Sequence, residues 1–130
     1  MKRGVFYLSF LLSILPVAYS RTISFVFLGS HASQLQAAEI LQKSNYKATF
    51  YLNSKYLGFV ENYINVFQAD DLYNAGFDIG GNTYSSMEFS LTTPITTPIT
   101  TPITTITEEI CRDRATLIAN GWQPRSFAYV

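Results

Sequence analysis

Two β-rich runs flank a single helical run inside residues 22–52, and that order restricts the folds open to the chain. Thr22 to Leu28 is a succession of β-branched and aromatic residues stopped by Gly29-Ser30, the composition of a buried strand. Residues 31–43 place Leu35, Ala38 and Leu41 on one helical face, with Ala37 and Ile40 beside them, and Ser44-Asn45 ends the run. Tyr46 to Leu52 returns to aromatic and threonine-rich strand composition. Two parallel strands need a crossover of about a dozen residues or more, usually a helix, and residues 31–43 supply it. The expectation is a βαβ unit.

The alternation continues. Ala69 to Ala75 suits a short helix that Gly76 can cap in the left-handed conformation, and Phe77-Asp78-Ile79 suits a third strand running into Gly80-Gly81. Further on, Thr105 and Glu108 have the spacing of a capping box. Ile106, Ile110, Leu117 and Ile118 follow as an apolar face, Asn120-Gly121 closes the helix, and Ser126 to Val130 begins a fourth strand. Alternating elements of this kind specify an α/β protein with a parallel sheet or barrel. Between the third strand and the last helix lies a repeat. Thr92-Thr93-Pro94-Ile95 recurs over 96–99 and 100–103 and decays into Thr104-Thr105-Ile106-Thr107. Its prolines remove amide donors and fix φ, so an extended, solvated loop is expected over 92–107. Surface loops accept such expansions at low entropic cost.

Residues 1–20 read as a secretory signal peptide: Lys2-Arg3, an apolar core from Val5 to Leu15, then Pro16 and the small residues of Ala18-Tyr19-Ser20. The apolar core is shorter than the roughly 20 residues a spanning helix needs. The expectation is therefore cleavage after Ser20, a mature domain over 21–130 without a stable membrane span, and a secreted, periplasmic or cell-envelope location. Cys111 is the single cysteine, which excludes an internal disulfide or a cysteine-based zinc site. Its helical spacing with Ala115 and Ile118 suggests a small core residue. Nine basic and nine acidic residues cancel, so no nucleic-acid partner is expected, and the 48% hydrophobic content excludes a disordered chain.

Set end to end, these segments resemble the N-terminal part of the polysaccharide deacetylase (NodB-homology) family. Ile23 to Ser30 stands where that family has a strand ending in Thr-Phe-Asp-Asp-Gly. Ala32-Ser33-Gln34 and Ala37 to Leu41 look like its first helix, and Lys47 to Asn53 like its second strand. Gly76-Phe77-Asp78-Ile79-Gly80-Gly81-Asn82-Thr83-Tyr84-Ser85-Ser86 lies where the family reads Gly-His-Glu-Ile-Gly-x-His-Thr-x-x-His, and Pro124 to Tyr129 is similar to the entry of its third motif. The resemblance implies an α/β fold made of the first three to four units of a (β/α) barrel, incomplete here. It also implies a hydrolase acting on N- or O-acetyl groups of polysaccharide. In that family an aspartate base works beside a divalent metal, usually zinc, held by an aspartate and two histidines.

Carried onto this chain, the base position holds Leu28, and the metal-ligand positions hold Gly29, Asn82 and Ser86. Leucine and glycine have no donor atoms, and an amide and a hydroxyl are poor substitutes for imidazole on zinc. No cofactor is therefore expected, and the chain reads as a pseudoenzyme whose ancestral partner is acetylated polysaccharide. Ala128 and Val130 stand where the third motif has arginine and proline, and the later motifs have no counterpart. An incomplete barrel leaves a sheet edge where a partner or a second copy can associate. The remaining polar residues have plainer readings. His31 reads as a surface histidine, Asp70-Asp71 as complements to a helix dipole, Glu108-Glu109 as capping residues, and Asp78 as a carboxylate without a catalytic role. The alternative function is a non-catalytic glycan-binding or cell-envelope interaction protein, with Tyr51, Tyr56, Tyr84 and Trp122 as candidate sugar-stacking rings.

Overall fold

Three parallel strands lie side by side in chain order: β1 (Phe25–Leu28), β2 (Ala48–Leu52) and β3 (Asp78–Gly81). The helices are α1 (Gln34–Lys43), α2 (Val66–Asn74) and α3 (Ile103–Ala119), and a single 3-10 turn spans Ser54–Tyr56. This computed structural model describes residues 22–58, 60–87 and 103–129. The signal-peptide reading and most of the repeat lie outside the described residues. Among the described residues, no helix is long and apolar enough to cross a membrane.

β2 is the central strand, and its sequence suits that place. Ala48, Phe50 and Leu52 alternate into the core, and Phe50 and Leu52 are fully buried. Phe50 stacks on Phe27 of β1 and meets Phe77 edge-on, at centroid distances of 4.8 and 5.4 Å. Ala38 and Leu41 of α1, Ala69 and Leu72 of α2 and Leu117 of α3 close over this strand. Full burial of each large apolar side chain contributes about 1.5–3 kcal/mol.

All three helices stop by the same device. The residue after the C-cap has positive φ (Asn45 +56°, Gly76 +81°, Gly121 +92°), and the next amide bonds back to a carbonyl five residues earlier. Those bonds are Tyr46 to Leu41 (2.9 Å), Phe77 to Leu72 (3.1 Å) and Trp122 to Leu117 (3.3 Å). This is the Schellman motif. Each time it turns the chain toward the sheet on an aromatic residue, two of which, Phe77 and Trp122, are buried.

Several expectations need correction. The first strand is shorter than 22–28 and lies at the sheet edge rather than buried: Phe25, Val26 and Leu28 are exposed. α2 begins at Val66, ahead of the expected Ala69, because Asn65 and Gln68 form a reciprocal capping box. The expected box at Thr105 and Glu108 does not exist. Both residues lie within α3, so residues 103–107 are helical rather than the end of a loop. Cys111 and Ala115 face outward with Ile118, and Ile40 is also exposed. The fourth strand is reduced to one parallel bridge between Gly81 and Phe127, flanked by Gly81 N–H to Ser126 O and Ala128 N–H to Gly81 O.

Candidate functional site

A parallel sheet delivers the C-terminal ends of all its strands to one edge, the usual ligand side of such sheets. The register pairs Leu28 with Tyr51, Tyr51 with Gly80, and Leu52 with Gly81. The exits Leu28-Gly29-Ser30, Asn53-Ser54 and Asn82-Thr83 therefore form one crown. Asn53 ties it together. Its N–H donates to Ser30 Oγ (2.8 Å), and its Nδ2 donates to Thr83 O (2.6 Å). The Ser30 hydroxyl donates back to Asn53 O (3.3 Å), and Asn82 N–H donates to Leu52 O (3.1 Å). The segments around Gly29 and Asn82 thus come together through Asn53, a residue the motifs did not single out.

The chemistry at each position is poor in donors. Leu28 is exposed, and its carbonyl accepts from Gln34 Nε2 (2.7 Å). Gly29 sits at φ +76°, and a Cβ there would lie 3.4 Å from the His31 ring and 3.9 Å from Asn53 Oδ1. Asn82 is buried, with Oδ1 accepting from Thr83 N–H (2.9 Å). Ser86 is exposed at φ +62°. A catalytic zinc needs three protein ligands with nitrogen, sulfur or carboxylate donors. Among the described residues, no three His, Cys, Asp or Glu side chains gather to hold a metal ion. The residues at these positions do not fit the metal that the resemblance implies.

Around the crown the aromatic rings are mostly spoken for by the protein itself. His31 bridges to Tyr63 through the backbone, and their rings lie 5.1 Å apart. Tyr56 stacks on Tyr63 at 4.8 Å while its hydroxyl donates to Ser85 O (3.0 Å). The Arg112 guanidinium lies 4.0 Å from the Tyr84 ring centroid. Tyr51 lies against Gly80, where a Cβ would come within 2.5 Å of its ring. Trp122 is a core residue, not a surface ring: it is 2% exposed and donates Nε1–H to Asp70 Oδ1 (2.7 Å). That bond also revises the reading of Asp70. Asp70 and Asp71 lie beyond the first turn of α2, where they complement no N-terminal dipole.

One polar residue of the crown escaped the sequence reading. Asp113 of α3 is fully buried, and its Oδ1 accepts Ser54 N–H (2.8 Å). Burial pushes its carboxyl up to about 6, outweighing the lowering effects of the Ser54 hydroxyl and the main-chain amides of Ser54 and Asn82. Glu109, one turn earlier, adds a smaller upward push. Glu109 is no capping residue. Its carboxylate accepts from both the N–H (2.8 Å) and the hydroxyl (3.0 Å) of Ser85, fastening the loop after Asn82 to α3. A signal for Asp113 was present in the sequence. Ile106, Ile110, Asp113 and Leu117 fall at one helical stripe, and a carboxylate inside an apolar stripe marks a buried acid.

No protein-family model matches the chain, and no curated protein matches it. Solved structures do share its fold. The Streptococcus pyogenes deacetylase PplD, in complex with acetate, is 17% identical with a TM-score of 0.66, over 80% of this chain and 43% of that one. IcaB from Ammonifex degensii is 21% identical with a TM-score of 0.65, over 80% of this chain and 48% of its own. The chain spans less than half the length of either structure. The architecture is therefore that of part of a deacetylase fold, as the motif order implied, and the partial coverage fits an N-terminal part.

Proposed function

We propose that the chain is an exported protein of the polysaccharide deacetylase type that retains the strand-end scaffold and does not hydrolyse acetyl groups. The reading rests on the strand-end crown: Leu28, Gly29, Asn82 and Ser86 stand where the resemblance sets the base and ligands, and Asn82 turns its amide oxygen onto the adjacent backbone. Metal-assisted amide hydrolysis requires a cation that lowers the pKa of bound water and polarises the acetyl carbonyl. Of the three ligand positions, Gly29 offers no donor, and the amide of Asn82 and hydroxyl of Ser86 are poor ligands for such a cation. Fold likeness to PplD, whose structure holds acetate, supports an ancestry in acetyl-group removal. The substrate of that ancestry would be acetylated polysaccharide.

The glycan-binding alternative gains no specific support. Of its four candidate rings, Trp122 is in the core, Tyr56 is stacked on Tyr63, and Arg112 lies over Tyr84. Tyr51 packs along Gly80. The test is metal analysis of the mature chain supplied with zinc, cobalt or nickel, together with acetate release from chitin oligomers and peptidoglycan. The expected result is no stoichiometric metal and no release. Tight one-to-one binding that disappears in Asn82→Ala, or metal-dependent acetate release, would overturn the proposal.

A further inference from the structure

Two arginines have no part in the function proposed above, yet they line the same place. Arg114 of α3 and Arg125 of the segment that follows it both border two adjoining recesses, of about 160 and 520 Å³, with Pro124 common to the two. Ser126 lines the smaller recess and Trp122 the larger. No carboxylate lines either, and neither does any residue at the base or ligand positions. Among the described residues, neither guanidinium makes an ion pair, a hydrogen bond or a ring contact. Their neighbour Arg112 differs, since it lies over the Tyr84 ring at 4.0 Å. The carboxylates of α2 and α3 that are not exposed are held by other donors: Asp70 by Trp122, Glu109 by Ser85 and Asp113 by the Ser54 amide. The resemblance assigns no role to either arginine, and the third motif's arginine position holds Ala128.

Two guanidinium groups around one recess repel each other, and no acidic side chain in its walls offsets that repulsion. A bound oxyanion does. Arginine stays charged at every working pH, and its planar fork of N–H donors matches the paired oxygens of a carboxylate or phosphate. The exposed Ser126 hydroxyl bonds to no described group and supplies a third donor. The larger recess falls within the range of about 300–1,000 Å³ usual for small-molecule sites, and Trp122 and Pro124 give it an apolar wall. We propose that Arg114 and Arg125 form an oxyanion site for a small anionic ligand of monosaccharide size, a phosphate ester or a carboxylate. The site is separate from acetyl hydrolysis and stands or falls independently of it.

The test is a nuclear magnetic resonance titration of the mature chain at low salt with glucose 6-phosphate, glucuronate and uncharged glucose. At least one of the two anions should shift the Ser126 amide and the Arg114 and Arg125 side-chain N–H signals saturably, and glucose should not. The tighter anion names the oxyanion source. Arg114→Gln and Arg125→Gln should each weaken that binding by about tenfold or more, the loss of charge-assisted hydrogen bonds. Neither side chain bonds within the protein, so both variants should keep the parent's thermal midpoint. Arg112→Gln removes the same charge from the same helix and should weaken binding by less than about threefold, because salt screens a charge outside the site. No saturable shift with either anion overturns the site. So do equal shifts with glucose, or equal weakening by all three arginine variants, which marks a diffuse charge effect.

Discussion

Replacing Asp70 by alanine should destabilise the protein strongly, while the same change at its neighbour Asp71 should barely register. Trp122 is buried, and its Nε1–H donates to Asp70 Oδ1 at 2.7 Å, joining α2 to the segment that follows α3. Alanine at 70 leaves the indole N–H buried without an acceptor, a loss of about 1–3 kcal/mol, with a carboxylate acceptor placing it in the upper part of that range. Asp71 is exposed, and exposed substitutions usually stay within about 0.5 kcal/mol. In a domain of this size each kcal/mol moves Tm by roughly 4–8 °C. Thermal unfolding of the mature chain should therefore show a drop of about 8–24 °C for Asp70→Ala and less than about 4 °C for Asp71→Ala. Asp70→Asn, which keeps an acceptor oxygen, should recover most of the loss. If the acidic pair acted through the helix dipole, both alanines would cost alike. Equal shifts at the two positions, or an unaltered Tm for Asp70→Ala, would refute the hydrogen-bond account.

Two further outcomes follow from the geometry and the leader. Gly80→Ala should destabilise by about 1–3 kcal/mol, since its Cβ would meet the Tyr51 ring at 2.5 Å and Ser126 O at 3.2 Å. Combining it with Tyr51→Ala should give a cycle energy that relieves the clash, and simple additivity in thermal or urea unfolding would contradict the packing. N-terminal sequencing of the exported product should begin at Arg21, and recovery of a soluble cytoplasmic form starting at Met1 would rule out the export proposal.

Periodicity and stop signals in the sequence carried most of the fold. Ser44-Asn45, Gly76 and Asn120-Gly121 each mark a helix end, and each is a Schellman turn in the structure. The misreadings have local causes. The Thr22 to Leu28 run is as apolar as a central strand, and nothing in it records that β1 occupies a sheet edge, because edge and centre are properties of the topology. The start of α2 depends on Asn65 pairing reciprocally with Gln68, a box made of amides rather than the more familiar Ser/Thr with Glu. Thr105 and Glu108 have the spacing of a cap and lie inside a helix, since the same spacing occurs on any helical face. At the crown, motif order pointed to the strand exits that carry Gly29 and Asn82. Asn53 and Glu109 were out of reach because their roles arise from contacts 23 to 30 residues apart in the chain, whereas Asp113 was legible only as an acid inside an apolar stripe, its partner Ser54 lying 59 residues away.

Those three residues fasten the crown through protein groups. In a metal site the ion supplies the charge that holds the ligating segments together, and losing it usually leaves them unsatisfied. Here protein groups fasten the exits. Asn53 joins the first exit to the third, Asp113 binds the second to α3, and Glu109 grips Ser85 in the segment after β3. Gly29 and Asn82 suit that arrangement. Gly29 takes a left-handed φ without a Cβ against His31, and Asn82 satisfies the next amide in the chain. Introducing aspartate at 29 would place a branched, charged side chain on a left-handed residue 3.4 Å from a ring, and imidazole at 82 would remove the acceptor that Thr83 N–H uses. Hydrogen bonds hold the crown, so aspartate at 29 or histidine at 82 works against its folded form.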